Sequence, residues 1–238
     1  MEKVDDKPLL HYLIKQLSGS EKISEIIIAT TKSKIDDVIV EFAEKNHIEV
    51  FRGDEFDVLS RYYNCAKQFQ AENIIRITSD NPLIDPKIID QCISKFEEKE
   101  IDFVSNCIKL QNNNWVHSLN GFPSGTTCEI FTFGVLEKIE SFAKKKLDRE
   151  HVTSYMINNS NDFKITNICN SSDYSDFRFT VDYEKDFVVV KKIIEFFNEK
   201  DIIFVEDIIS FLDANKNLKE INSEYSFNEG YKTSMDKK

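Results

Sequence analysis

The feature that most constrains this chain is the alternation of short β-branched runs with amphipathic helical stretches. Glu25–Thr30 (EIIIAT), Ile48–Phe51, Asn73–Thr78 (NIIRIT) and Ile101–Ser105 have the length and residue type of buried strands. Between them Ile35, Val38, Ile39 and Phe42 recur at helical spacing, as do Phe56, Leu59, Tyr62, Ala66 and Phe69. A further helix carries Ile88, Ile89, Cys92, Ile93 and Phe96, with Asp85 placed as its N-cap and Pro86 as its first residue. Ser33 and Asp36 have the spacing of a capping box ahead of the helix that follows EIIIAT. Such alternation predicts an α/β fold, a mostly parallel sheet with helices on both faces.

The pattern breaks after Asn106. Residues 108–125 are polar and irregular, hold the only Trp, and exceed an ordinary connection in length; such segments are usually functional or form an interface. Beyond them come CEIFTF, a helix from Val135, another from about Asp148, the strands FKITNI and RFTVD, and closing helices around Phe187–Phe197 and Val205–Leu212. No internal repeat interrupts this order, and 238 residues suit a single domain, 1–238. One anomaly stands at the front. The first element is a helix, with Asp6 near its cap, Pro8 in its first turn and Leu9, Leu10, Leu13 and Leu17 facing inward, whereas a parallel α/β domain normally opens with a strand.

Composition excludes several classes. A formal charge of −11 argues against nucleic acid or anionic lipid as a partner, since both need a basic patch. The six glycines lie apart and form neither a P-loop nor a dinucleotide fingerprint. No run of 18 apolar residues suits a membrane span, and MEKVDDKPLL has no apolar signal core, so a cytoplasmic location is expected. The five cysteines are odd in number, dispersed and without a CxxC pair, which points to neither zinc nor disulfides.

Open α/β sheets bind ligands beyond the carboxyl ends of their strands. NIIRIT delivers Asp80 to that edge and RFTVD delivers Asp182. Asp80 is either a ligand or a satisfied loop residue; Asp182 is either a ligand or the N-cap of the next helix. Two converging carboxylates suit Mg²⁺. Only five of the 31 basic residues are Arg: Arg52, Arg61, Arg76, Arg149 and Arg178. Where lysine suffices for surface charge, these positions need the guanidinium fork, for phosphate or for structural ion pairs. Among the four histidines only His151, in DREHVT, has a charged local constellation, and a structural role is as open to it as a catalytic one.

Taken in order, KPLLHYLIKQL, EIIIATT, VFRGDEFDVLSRYYNCA, RITSDNPLID, PSGTTCEIFTF, DREHVT, RFTVDYEKD and NEGYKTS resemble the spore-coat polysaccharide biosynthesis protein F family. That family is grouped with the CMP-KDO and acylneuraminate cytidylyltransferases, and the likeness runs from about Lys7 to Ser234. It implies a Rossmann-like nucleotide-diphospho-sugar transferase fold. The implied activity is transfer of CMP from CTP (or another nucleoside monophosphate from its triphosphate) to a sugar in surface polysaccharide or glycan biosynthesis, with release of pyrophosphate and Mg²⁺ as cofactor. Asp80 and Asp182 match metal-binding positions, Arg76 and Arg178 are expected to be catalytic, and Arg52, Gly125, Glu129, Arg149 and His151 are expected to bind substrate. Thr127 stands where the family pattern has an acidic residue. Segment 108–125 matches sugar-side and dimer contacts, so a homodimer is expected.

The largest departure is at the front. Family members open with a strand and a loop of the type QARMGSTRLPGKV before the helix matching KPLLHYLIKQL, and Met1 falls where that loop has just ended. The resemblance therefore predicts an N-terminally truncated member with a gap in its sheet and exposed apolar helix faces. The alternatives are an inactive homologue serving as a binding or assembly subunit, or a guanylyl-, uridylyl- or glycosyltransferase on the same fold.

Overall fold

One mixed sheet, apolar on both faces, organises most of the chain. A computed structural model describes residues 2–98 and 100–227 of the 238. The string NEGYKTS, at 228–234, lies outside the described residues. A short antiparallel pair, β1 (Lys3–Val4) and β2 (Lys7–Pro8), leads into α1 (Leu9–Leu17). There follow β3 (Ile27–Thr31), α2 (Asp37–Lys45), β4 (Glu49–Gly53), α3 (Val58–Gln68), β5 (Asn73–Arg76), α4 (Pro86–Phe96) and β6 (Phe103–Ser105). A hairpin of β7 (Ile108–Gln111) and β8 (Asn114–His117) precedes β9 (Glu129–Thr132), α5 (Phe133–Phe142), α6 (Lys146–His151), α7 (Ser154–Asn158) and β10 (Ile165–Asn167). The helices α8 (Glu184–Phe196), α9 (Val205–Ala214) and α10 (Lys216–Lys219) close the described fold. None of the described helices is long and apolar enough to cross a membrane.

The main sheet has the order β10-β6-β9-β5, with β10 parallel to β6 and β9 antiparallel to both its neighbours. Alternation along its strands feeds two cores. Ile74, Phe103 and Phe131 face Leu59, Leu136, Ile139 and Met156 on one side. Val104 and Ile130 face Leu13, Leu17, Ile84 and Ile89 on the other. A third core joins α8 and α9 through Val189, Val190, Ile193, Ile208 and Leu212, with Phe179 beneath them.

The strands β3 and β4 pair in parallel as a separate sheet. Among the described residues, β3 is bonded only to β4, and β5 only to β9, so each keeps one edge with no strand beside it. Ile27, Ile28 and Ile75 on these strands are half-buried, whereas Phe103 and Val104 inside the main sheet are fully buried. On α2 and the turn before it, Ile35 is 80% and Val38 44% exposed.

Several local expectations change. Segment 108–125 is not wholly irregular: Asn112 and Asn113 both have positive φ (49° and 60°) and turn the β7–β8 hairpin. Adjacent asparagines tolerate that conformation, as a two-residue I′ turn requires. RFTVD forms no strand. Its extended backbone finds loop partners instead, a bridge from Arg178 to Ser124 and a bond from Val181 N to Asp80 O (2.8 Å). Ser33 makes no capping bond; Asp36 instead accepts from Thr30 Oγ1 (2.8 Å) and from the backbone N–H of Thr31 (3.1 Å). Asp148 lies inside α6, buried, and accepts from Ser154 Oγ at 2.9 Å, leaving Lys145 as the N-cap.

Two buried polar side chains tie the helices together. Asp85 caps α4 through Lys87 N (2.8 Å) and takes Val205 N (2.7 Å) at the start of α9. Gln16, 2% exposed, donates to Ile84 O (3.0 Å) and Ile203 O (2.6 Å) and accepts from Ile203 N (2.9 Å). Replacing Gln16 by Leu strands all three backbone groups, at roughly 1–3 kcal/mol each if none recovers a partner. We expect Gln16→Leu to lower the unfolding free energy by about 3 kcal/mol in urea titration, against the ~0.5 kcal/mol of an uninvolved position. A loss at that lower level would show that water takes over the amide's role.

Candidate active site

The carboxyl end of β5 and the amino end of β9 meet in register, and that register selects the side chains sharing the edge. Arg76, the last residue of β5, stands opposite Glu129, the first of β9. Arg76 Nη1 donates to Glu129 Oε2 at 2.5 Å. Glu129 is only 5% exposed, and an anion so buried requires a partner. Its other oxygen accepts from Thr153 Oγ1 at 2.7 Å. The Tyr62 ring lies 5.7 Å from the Arg76 guanidinium carbon.

His117, at the end of β8, and His151, at the end of α6, are within electrostatic reach of Glu129. Burial holds both imidazoles below their ordinary range, helped at His151 by the Arg76 cation. Between His151 and Thr153, Val152 is fully buried with φ 55° and ψ −64°. A β-branched residue there is strained, and such strain persists only where surrounding packing imposes it. Its neighbour Thr153 is the residue that reaches Glu129.

A second cluster faces the first across the Asp80 turn. Arg178, 9% exposed, donates from Nε to Asp186 Oδ1 (2.8 Å) and from Nη2 to Asp186 Oδ2 (2.8 Å) and Asp182 Oδ2 (2.6 Å). Asp186 is fully buried and also accepts from the backbone N–H groups of Asp182 and Tyr183. Asp186 thus does the capping work at the start of α8, and Asp182 is left out of it. Burial alone would raise the Asp186 carboxyl, but the bonds from Arg178 and Asn222 outweigh it and hold it below the usual carboxylate range.

Between these clusters lies Asp80. Its backbone carbonyl accepts from Val181 N (2.8 Å) and Thr180 Oγ1 (3.1 Å), which draws the 178–182 segment against the turn after β5. Burial pushes the Asp80 carboxyl up, and the nearby Asp182 charge pushes it further, against a bond from Thr78 and the Arg76 cation. Asp80 Oδ1 is buried without a hydrogen-bond partner. The structure therefore brings Asp80, Asp182, Arg76, Arg178, Glu129 and His151 to one edge of the fold.

The remaining sequence candidates stand elsewhere or act through backbone. Arg52 donates to Thr31 O (2.8 Å), Ser33 O (2.7 Å) and Asp37 Oδ1 (2.7 Å), closing the turn between β3 and α2. Arg149 pins α6 to Asp57 ahead of α3 and to Glu140 on α5, at 2.6 and 3.0 Å. Gly125 has φ 108°, and a Cβ there would lie 2.6 Å from Thr180 N, so glycine is what lets this turn lie against the 178–182 segment. The sequence reading missed His117, Thr153, Asp186 and Asn222. Of these, only Asp186 left a signal, as an acidic residue in the first turn of a helix.

The donor set fits Mg²⁺. A buried carboxylate oxygen without a partner beside a second carboxylate is a half-built oxygen site, and Mg²⁺ usually takes one or two carboxylates and completes its shell with waters and phosphates. Among the described residues no group of three or more His, Cys, Asp or Glu is placed to hold a metal by itself.

Comparison with known proteins fits this edge into a family. The sequence profile of the cytidylyltransferases matches residues 1–233. The chain belongs to the cytidylyltransferase family. It is 38% identical over 226 residues to an uncharacterized protein of Methanocaldococcus jannaschii, covering 93% of this chain and 86% of that one. It is 24% identical over 210 residues to the spore coat polysaccharide biosynthesis protein SpsF of Bacillus subtilis, covering 87% and 82%. The solved structure of a cytidylyltransferase from Leptospira borgpetersenii superposes with a TM-score of 0.82 at 30% identity, covering 95% of this chain and 90% of that one. The fold is thus the Rossmann-like nucleotidyltransferase fold.

A cytidylyltransferase whose Asp80 is held above its ordinary carboxyl range has a defined stability signature. The folded state binds that proton more tightly than the unfolded chain does. The ionised carboxylate therefore costs stability as pH rises from the unfolded value through the folded one, and the cost persists at neutral pH. We expect Asp80→Asn to raise the melting temperature at pH 7, with the gain shrinking as the pH drops below the usual carboxylate range. A melting temperature lowered at pH 7 would contradict the unfavourable burial of this charge.

Proposed function

We propose that this cytidylyltransferase moves a cytidylyl group from CTP to a sugar hydroxyl, in the formation of a surface polysaccharide or glycan. The observation that carries the proposal is the Asp80–Asp182 pair at the sheet edge, with one buried oxygen of Asp80 left unbonded. The Bacillus relative, a protein of spore coat polysaccharide biosynthesis, supports a polysaccharide as the destination of the sugar. In the reaction the sugar oxygen attacks the α-phosphorus of CTP. The bond to the bridging oxygen of the β-phosphate breaks, pyrophosphate leaves with that electron pair, and the hydroxyl proton passes to solvent or a nearby base.

Asp80 and Asp182 would hold Mg²⁺, which when bound supplies positive charge to the phosphate oxygens. Arg178 keeps Asp182 oriented toward that position, while the Arg76–Glu129 pair braces the other side. We assign His151, with Thr153 and His117 around Glu129, to the face that receives the sugar. Held below their ordinary range by burial, these imidazoles are neutral at pH 7 and can accept or donate a hydrogen bond to a hydroxyl. Gly125 contributes by packing, whereas Arg52 and Arg149 contribute by holding the surrounding turns and helices. The protein is proposed to act in the cytoplasm as a homodimer, with the β7–β8 hairpin and its exposed Leu110 (57%) in the subunit contact.

A second reading, a binding or assembly subunit without turnover, is favoured by the open edges of β3 and β5 and by arginines already engaged in ion pairs. Incubation with CTP, Mg²⁺ and a panel of acidic sugars separates the two. Pyrophosphate release is expected with CTP and at least one sugar, and Asp80→Asn should reduce it ~10²–10³-fold, as for loss of a principal electrostatic group. Release with GTP or UTP in place of CTP would move the assignment to another base; no release with any triphosphate would favour the non-catalytic subunit.

A further inference from the structure

The Asp182 carboxylate is not placed by its own backbone alone. Its position depends on Asp186, four residues on and in the first turn of α8. Asp186 is fully buried and accepts five hydrogen bonds: two from Arg178, one each from the backbone N–H of Asp182 and Tyr183, and one from Asn222 Nδ2 at 2.8 Å. Both its oxygens are thus fully committed; the bonds from Arg178 and Asn222 are buried, and those from the Asp182 and Tyr183 N–H groups are half-buried. The same Arg178 Nη2 that bonds Asp186 also bonds Asp182 Oδ2, so one nitrogen bridges the two carboxylates. Asn222, 2% exposed, adds a second anchor by donating to Arg178 O at 3.1 Å. The stacked rings of Tyr183 and Tyr225, 4.1 Å apart, lie within 6.0 Å of the guanidinium carbon.

We infer that Asp186 and Asn222 are positioning residues for the divalent-cation site: through Arg178 and the Asp182 N–H they fix where the Asp182 carboxylate stands relative to Asp80. The inference rests on the reading of Asp80 and Asp182 as Mg²⁺ ligands. A helix cap needs only an acceptor for the Asp182 and Tyr183 N–H groups, which asparagine also supplies through its one carbonyl oxygen. The two-point hold on Arg178 needs two acceptor oxygens and a negative charge, which only the carboxylate supplies. The chain meets the second requirement as well as the first, and a residue from the far end of the described fold, Asn222, is committed to it. Carboxylates that orient a metal ligand from behind are worth about 10–100-fold in metal affinity.

The test measures Mn²⁺ binding by the loss of its free-ion electron paramagnetic resonance signal, with and without CTP, alongside the Mg²⁺ dependence of pyrophosphate release. Asp186→Asn is expected to weaken Mn²⁺ binding about tenfold or more and to raise half-saturating Mg²⁺ in parallel. Asn222→Ala, in a short turn away from the core strands, is expected to do the same to a smaller degree, and it serves if the first variant does not fold. A purely structural role predicts a lower melting temperature with Mn²⁺ affinity unchanged well below it. Mn²⁺ binding that Asp80→Asn removes but both other variants leave at the unsubstituted level overturns the positioning role alone. Failure of the unsubstituted protein to bind Mn²⁺, with or without CTP, overturns the metal site and the positioning role together.

Discussion

The register between β5 and β9 is the constraint on which the candidate site depends. Along that pair Ile74 stands opposite Phe131 and Ile75 opposite Ile130, so neighbouring rungs feed opposite cores. A slip of one residue would turn each set to the wrong face, which fixes the pairing strongly. Arg76 and Glu129 are the next rung, and they inherit a position that apolar packing has already chosen. Placed there, each buried charge is compensated by the other, and removing one partner of such a pair typically costs about 3–5 kcal/mol. The ion pair is thus a consequence of the sheet that then dictates where Thr153, His151 and His117 must gather.

The second cluster follows the same logic with helices in place of strands. Asp186 is buried because α8 packs against Phe179 and the third core, and Arg178 with Asn222 compensates its charge. Each of the buried carboxylates Glu129 and Asp186 is matched by an arginine within hydrogen-bond distance. Asp80 differs. Its backbone is locked by Val181 and Thr180, its carboxyl sits beside Asp182, and one oxygen is left without a bond. On the proposed reading, this open oxygen is where a charge brought in by a ligand would be met.

How much of this was legible in the sequence varies with the range of the interaction. Asp85 and Pro86 at the start of α4 were readable because a cap is settled within four residues. The strands Ile27–Thr31 and Asn73–Arg76 were readable because a buried strand announces itself by its own β-branched run. The hairpin turned by Asn112 and Asn113 was also local, but although IKLQ alternates apolar with polar residues, its partner NWVH does not, so the turn lacks a matched strand on its far side. RFTVD carried the composition of a strand without becoming one, since a strand also needs a neighbouring strand and Arg178 found only Ser124. The antiparallel course of β9, the convergence of Asp80 on Asp182 and the contact of Asn222 with Asp186 join residues 24 to 102 positions apart, and no local pattern encodes them.

The sparing use of arginine shows how a sequence signal can be real while its first interpretation is incomplete. Lysine would place a charge near Asp186, but a single ammonium cannot span both oxygens of one carboxylate as Arg178 does through Nε and Nη2. Arg52 meets two backbone carbonyls and Asp37 at once, and Arg149 meets carboxylates from two separate parts of the fold. In each case the planar fork satisfies several fixed acceptors that a flexible ammonium would satisfy in turn. Scarcity of arginine in a lysine-rich chain therefore marks where geometry is demanding, and here much of that demand is internal. On the proposed reading, the arginines nearest Asp80 would serve the reaction first by holding carboxylates still, because a cation site built from only two protein ligands would be only as well defined as the positions of those two side chains.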